Sequence, residues 1–269
     1  MTPARAVIAT LACVGIALVA DLSSAAVETP EGAGLRIASE ADRRGEGFGD
    51  HTAELRMILT NRHGDVAERL LRISTLEVDE PGQGDKTLVV FDTPRDIKGT
   101  ALLTFSKVLE PDDQWLFLPA LKRVKRISSA RKSGPFMGSE FAFEDMAPPE
   151  VGKFDYRFLR DEACGEFRCF VIERTPRYRY SGYRRQIVWL DHGHYRIFRV
   201  EFYDRRDALL KTLIASDYRI YNGKYWRAHD LLMENHQTGK KTRLLWSAFQ
   251  FAVGLTERDF TRGSLTRSR

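Results

Sequence analysis

The chain has 269 residues, with 42 Lys+Arg against 37 Asp+Glu and a formal net charge of +5. That length fits one large all-β domain or two small domains and can bury a sizeable core. The small basic excess alone would allow nucleic acid. The export signal described next argues against that partner and leaves an anionic lipid surface, a phospholipid headgroup or a plainly solvated basic surface.

Residues 1–26 read as a secretory signal peptide: Arg5 supplies the positive start, Ala6 to Ala20 are apolar and small, and Ser24-Ala25-Ala26 offers a cleavage site. The apolar run is shorter than the ~20 residues a spanning helix needs. Cys13 interrupts that run instead of following it, so it belongs to the signal and is not a lipidation site. Cleavage near Ala26 removes Arg5 and Asp21, leaves the net charge unchanged and delivers residues 27–269 to the periplasm as one domain. Residues 27–34 read as a loose start, and Leu35 to Arg44 have a weak helical spacing closed by Gly45.

From there the period changes to two. Ala53, Leu55, Met57 and Leu59 alternate with Thr52, Glu54 and Arg56, a strand with one buried face. Asn61 to Gly64 is a turn, 65–79 alternates again, Pro81 to Gly84 turns, and 86–92 is a third strand. Further strands are expected over 100–108, 114–119 and 123–128. After a long apolar insert at 129–150 they resume over 154–160, 167–175, 184–190, 195–203, 209–221, 225–235 and 242–253, and a short helix follows Thr256. An insert of that length between strands is uncommon and often functional. About a dozen hairpin-linked strands without βαβ alternation imply a mainly β fold: an open, strongly curved antiparallel sheet, an unclosed barrel, with a few short helices over its concave face.

Cys164 and Cys169 flank Gly165 to Arg168 at a hairpin end. In an oxidising compartment such a pair reads first as a disulfide. Its short loop stabilises by about 2 kcal/mol. Chemistry is otherwise scarce. The chain has no Gly-x-Ser-x-Gly elbow, no P-loop and no Gly-x-Gly-x-x-Gly opening a helix. Asp191-His192-Gly193-His194 could offer two imidazoles to a metal, but it reads better as a hairpin tip. Glu144-Asp145 lacks a third partner for acid–base work, so a surface or capping role fits better. No cofactor, metal or catalytic group is implied, and the chain does not read as an enzyme.

Several runs carry a family resemblance. They are Ala41 to Gly45, Leu55-Arg56-Met57, Phe91 to Thr100, and above all Trp115 to Ile127 (Trp-Leu-Phe-Leu-Pro-Ala-Leu-Lys-Arg-Val-Lys-Arg-Ile). Phe136 to Phe141, Glu144 to Met146, Val200 to Asp204, Phe260 and Leu265 continue it over essentially the whole mature chain. The chain resembles the LolA-like outer membrane lipoprotein-sorting protein family. That resemblance implies a curved sheet and helices enclosing an apolar cavity that accepts acyl chains. It also implies work alongside an inner-membrane transporter and an outer-membrane acceptor. The cavity residues of the lipoprotein carriers do not map one by one onto this chain.

The expected ligand is a lipid or an acylated lipoprotein. The cavity wall is expected from Leu55, Met57, Leu59, Val90, Leu103, Phe105, Trp115 and Phe117, and a lid from Phe136, Met137, Phe141 and Phe143. Flexible thioethers and flat rings suit a chain of variable shape. Burying ten methylenes gains roughly 8 kcal/mol before ordering costs. Arg95, Lys122, Arg123 and Arg126 are candidates for a headgroup or membrane partner, although Lys122 to Arg126 also suits a solvated strand edge. The rival reading is a filled scaffold acting as a non-catalytic envelope sensor or interaction module.

Overall fold

The computed structural model describes residues 28–267 apart from Pro81 and Pro149, so the expected signal segment lies outside the described residues. Helix α1 (Pro30–Gly45) begins earlier than the apolar spacing suggests. Thr29 caps it, its Oγ1 accepting from the Gly32 amide at 3.1 Å, and Pro30 presets the first turn. Arg43 and Arg44 sit at its C-terminal end, both paired with Glu40, where cations suit the helix dipole.

All thirteen described strands form one antiparallel sheet, not closed into a barrel. The first half runs β1 (Asp50–Thr60), β2 (Val66–Leu76), β3 (Gln83–Thr93), β4 (Ala101–Lys107), β5 (Asp113–Leu118) and β6 (Arg123–Arg126). The second runs β7 (Phe154–Cys164), β8 (Phe167–Pro176), β9 (Tyr183–Asp191), β10 (Ile197–Asp204), β11 (Leu209–Tyr221), β12 (Tyr225–Asn235) and β13 (Lys241–Phe251). Each strand pairs with its neighbour in sequence, and β1 joins the halves by pairing with β13, so β6 and β7 are the edges. The strand boundaries differ from the alternation pattern by only a few residues, because alternation persists wherever one face is wet.

One face of almost every strand contributes to a single core. Leu55, Met57, Ile73, Val89, Phe91, Leu102, Leu116, Ile172, Val188, Val200, Met233 and Leu244 meet there, with Ile37 of α1 and Phe136 and Phe141 of the insert. A flat sheet of this width could not bring them together, so the concave face is the inside. The opposite face of β3–β5 holds Val90, Ala101, Leu103, Trp115 and Phe117 beneath Phe260 and Leu265 of the C-terminal segment, where α2 (Arg262–Arg267) ends the described chain. No described helix is long and apolar enough to cross a membrane.

α1 lies against the edge strand β7. At Gly34 the approach is so close that a Cβ would stand 2.7 Å from the Arg157 amide nitrogen. Gly34→Ala should therefore push the helix off the strand and cost about 2 kcal/mol, read as a lowered unfolding midpoint. An unchanged midpoint would mean that the helix slides without loss. The Cys164–Cys169 disulfide closes the β7–β8 hairpin with its Cα atoms 5.9 Å apart. Reduction should cost about 2 kcal/mol and leave the far edge, β6, unaffected in hydrogen exchange.

Candidate functional site

The insert between β6 and β7 folds into successive 3-10 turns over Ser129–Arg131, Phe136–Gly138, Phe143–Met146 and Val151–Lys153. It is fastened by polar groups at many points. Glu144 accepts from Tyr178 Oη (3.0 Å), Ser181 Oγ (2.8 Å) and the Gly182 amide (2.8 Å) of the β8–β9 loop. Asp145 accepts from Tyr183 Oη at 2.9 Å and from Lys211 Nζ at 2.8 Å. Lys211 also donates to the Glu140 carbonyl, and Asn235 to the Glu140 carboxylate. Gln114 Nε2 reaches the Phe143 carbonyl, and Lys153 pairs with Asp112. Burial, then the charge of Asp145, raises the Glu144 carboxyl above its ordinary range, and burial first of all raises the Tyr183 phenol. The Glu144-Asp145 pair therefore holds the insert to β9, β11 and the β8–β9 loop.

A cavity of about 1610 Å³ lies between α1, the β2–β3 turn, the end of the insert and the inner face of β7–β12. This exceeds the 300–1,000 Å³ of drug-sized ligand sites. Its apolar wall comes from Ala38 and Ala41 of α1, Tyr156, Ile172, Val188, Leu190, Ile197, Tyr218, Ile220 and Trp226. Charges share that wall. Asp85 is pushed up to about 6 by burial and by Glu77, and Glu150 to about 7 by burial against the opposing pull of Lys153. Asp42, more open to water, is raised to about 6 by partial burial and by Glu46. Arg196 pairs with Asp191 at 2.9 Å, and Arg227 lies 5.5 to 5.7 Å from the Phe48, Tyr225 and Phe251 ring centres. Burial lowers the pKa of both Arg174 and Arg227. The arrangement can shelter an apolar chain and meet a polar end.

A family model described as "-like: Uncharacterized protein" matches residues 83–267. A Vibrio parahaemolyticus structure described as an outer membrane lipoprotein-sorting protein domain is 53% identical. The match covers 87% of this chain and 99% of that one, with a TM-score of 0.85. The chain belongs to the outer membrane lipoprotein-sorting protein family. A DUF1329 family protein from Desulfovibrio piger is 29% identical, over 88% of this chain and 99% of that one, with a TM-score of 0.84. A LolA superfamily protein from Nitrosomonas europaea shares the fold at 23% identity, over 86% and 98% of the two chains, with a TM-score of 0.68. No curated protein matches.

In this lipoprotein-sorting family member, the residues expected to line the cavity lie elsewhere. Leu55 and Met57 belong to the packed concave core, and Leu59 packs against it. Val90, Leu103, Phe105, Trp115 and Phe117 face the other way, into the cluster under Phe260 and Leu265. Strands apolar on both faces carry no phase signal, so the alternation could not say which set points inward. Phe136 and Phe141 are buried in the core, with Met137 and Phe143 packed against it, so the expected lid is a plug. None of these residues, and none of Arg95, Lys122, Arg123 and Arg126, lines the cavity. The four cations are exposed, and Arg126 pairs with Asp113. Around Asp191 the turn geometry is realised. Its carboxylate accepts from the Arg196 amide at 2.6 Å, while His192 stacks on Phe170 and His194 tilts against Trp226, each imidazole on its own partner.

The residues the sequence reading missed are Arg174, Arg227, Asp85 and Glu150. One signal was available: Arg174 falls on the same face of its strand as Phe170 and Ile172, an isolated charge on an apolar stripe.

Proposed function

We propose that this protein is a periplasmic carrier that shelters the acyl chain of a lipid or lipoprotein in the cavity, without bond-making. The carrying observation is the cavity itself, lined by both apolar and charged side chains along the inner face of β7–β12 and too large for an ordinary packing defect. Family membership supports a sorting role, and residues 1–26 supply the expected export signal. In this reading the mature chain from residue 27 works as one domain between an inner-membrane donor and an outer-membrane acceptor. The exposed Arg95, Lys122, Arg123 and Arg126, none of them on the cavity wall, are its contacts to anionic membrane or partner surfaces.

The test is solvent extraction of the purified protein with lipid mass spectrometry, together with uptake of a fluorescent fatty acid. Ala41 lines the cavity from α1, and Ala41→Trp puts an indole into the part of that space beside the helix. The wild type should carry or take up close to one equivalent, and the tryptophan variant should lose at least about tenfold in affinity while unfolding at a similar midpoint. Wild-type protein that neither carries nor takes up lipid would favour a sensor module instead.

A further inference from the structure

We infer that the cavity selects anionic amphiphiles, with the Arg174 guanidinium as the seat for a carboxylate or phosphate headgroup. This rests on the carrier reading above and adds the headgroup to it. Arg174 is half-buried and opens onto the cavity. Its Nε donates to Gln186 Oε1 at 2.7 Å, and its guanidinium lies over the Phe154 ring, 4.9 Å from the ring centre. Among the described residues it forms no ion pair, and neither terminal nitrogen has a protein acceptor. The one carboxylate acting on it at longer range, Asp145, is already held by Lys211 and Tyr183.

A cation without an ion-pair partner, partly withdrawn from water, carries a desolvation cost that falls when an anion arrives. The two free nitrogens form the planar fork that matches two oxygens of a carboxylate or phosphate. The register supplies the rest of the amphiphile. On β8 and β9 the paired positions run Arg174–Gln186, then Ile172–Val188, then Phe170–Leu190, all on the inner face. Each step is roughly 7 Å, so a polar rung is followed directly by apolar rungs. A headgroup on the first rung lays its chain along the others. Neutral acyl chains gain only the apolar part.

The experiment titrates the mature protein at pH 7 with cis-parinaric acid and with its methyl ester, two fluorescent probes of one chain that differ in charge. The acid should bind at least about tenfold more tightly than the ester. Arg174→Gln should bring the acid-to-ester affinity ratio to about one, with the unfolding midpoint reporting that the variant is folded. Equal binding of acid and ester by the wild type overturns the anion seat and leaves the carrier reading intact, whereas binding of neither overturns both. Should Arg174→Gln fail to fold, the wild-type comparison decides alone. Competition with palmitate and with lysophosphatidic acid identifies a carboxylate or a phosphate as the better headgroup, and displacement by neither overturns the proposal. Inorganic phosphate binding as tightly as these lipids would also overturn it, since the site would then need no chain.

Discussion

Lys211→Met should cost about 3–5 kcal/mol of folding stability. Lys211 and Asp145 are 4% and 11% exposed and lie 2.8 Å apart. Removing the ammonium leaves the Asp145 carboxylate buried with only the Tyr183 hydroxyl and the Ala142 amide to face it. It also strips the Glu140 carbonyl of its donor. The double variant Lys211→Met/Asp145→Asn removes the orphaned charge and should recover a good part of the loss in a denaturant midpoint. A single variant as stable as wild type would show that water satisfies Asp145 and that the insert is not fastened there. The same variant separates plug from lid. Hydrogen exchange should rise over residues 136–146, while fatty-acid uptake should hold wherever the fold persists, because Phe136 to Phe143 are absent from the cavity wall. Loss of uptake in folded protein would restore a lid role to the insert.

The sheet was legible because its strands alternate and its hairpin turns carry Gly, Asn, Asp and Pro at the required places. Asn61 shows why: its side chain accepts from the His63 and Asp65 amides and sets the β1–β2 turn by local chemistry alone. The site was less legible, for two physical reasons. Val90 and Leu103 sit in strands buried on both faces, so the inner face follows from which distant segment covers the other one, here Phe260 and Leu265. Asp42, Asp85, Glu150, Arg174 and Arg227 come from five separate stretches of chain, and only the curvature of the sheet brings them to one cavity. A charge in a strand usually means solvent. At Arg174 it means the inside, and only the apolar neighbours two residues away on the same face distinguish the cases.

Asp85→Asn should stabilise the protein at pH 8 by up to about 3 kcal/mol and change nothing at pH 4. The Asp85 carboxyl is raised from 3.8 to about 6, chiefly by burial and then by Glu77, with Asp42 adding to the rise and Arg227 opposing it. The folded state therefore binds more protons than the unfolded state between these values. Stability from this group is full below about 4, falls as the pH climbs through 6 and stays low above that. Glu150, raised from 4.5 to about 7 among Lys153, Asp85, Asp42 and Asp112, acts in the same sense over a slightly higher window. His51 acts in the opposite sense: burial lowers it from 6.5 to about 4, so its share of stability is lost as the pH falls across that range. The wild-type curve mixes all three, but the difference between wild type and Asp85→Asn cancels His51, which both proteins share. Asparagine keeps an oxygen for the Val78 backbone bond that the carboxylate accepts. The same charge bears on cargo. A carboxylate on the cavity wall repels an anionic headgroup, so Asp85→Asn should tighten parinaric acid at pH 8 more than at pH 5 and leave the methyl ester indifferent to pH. A stability difference that does not vary with pH would place the Asp85 charge in water, and an Asp85→Asn effect on acid binding that is equal at both pH values would detach it from the ligand.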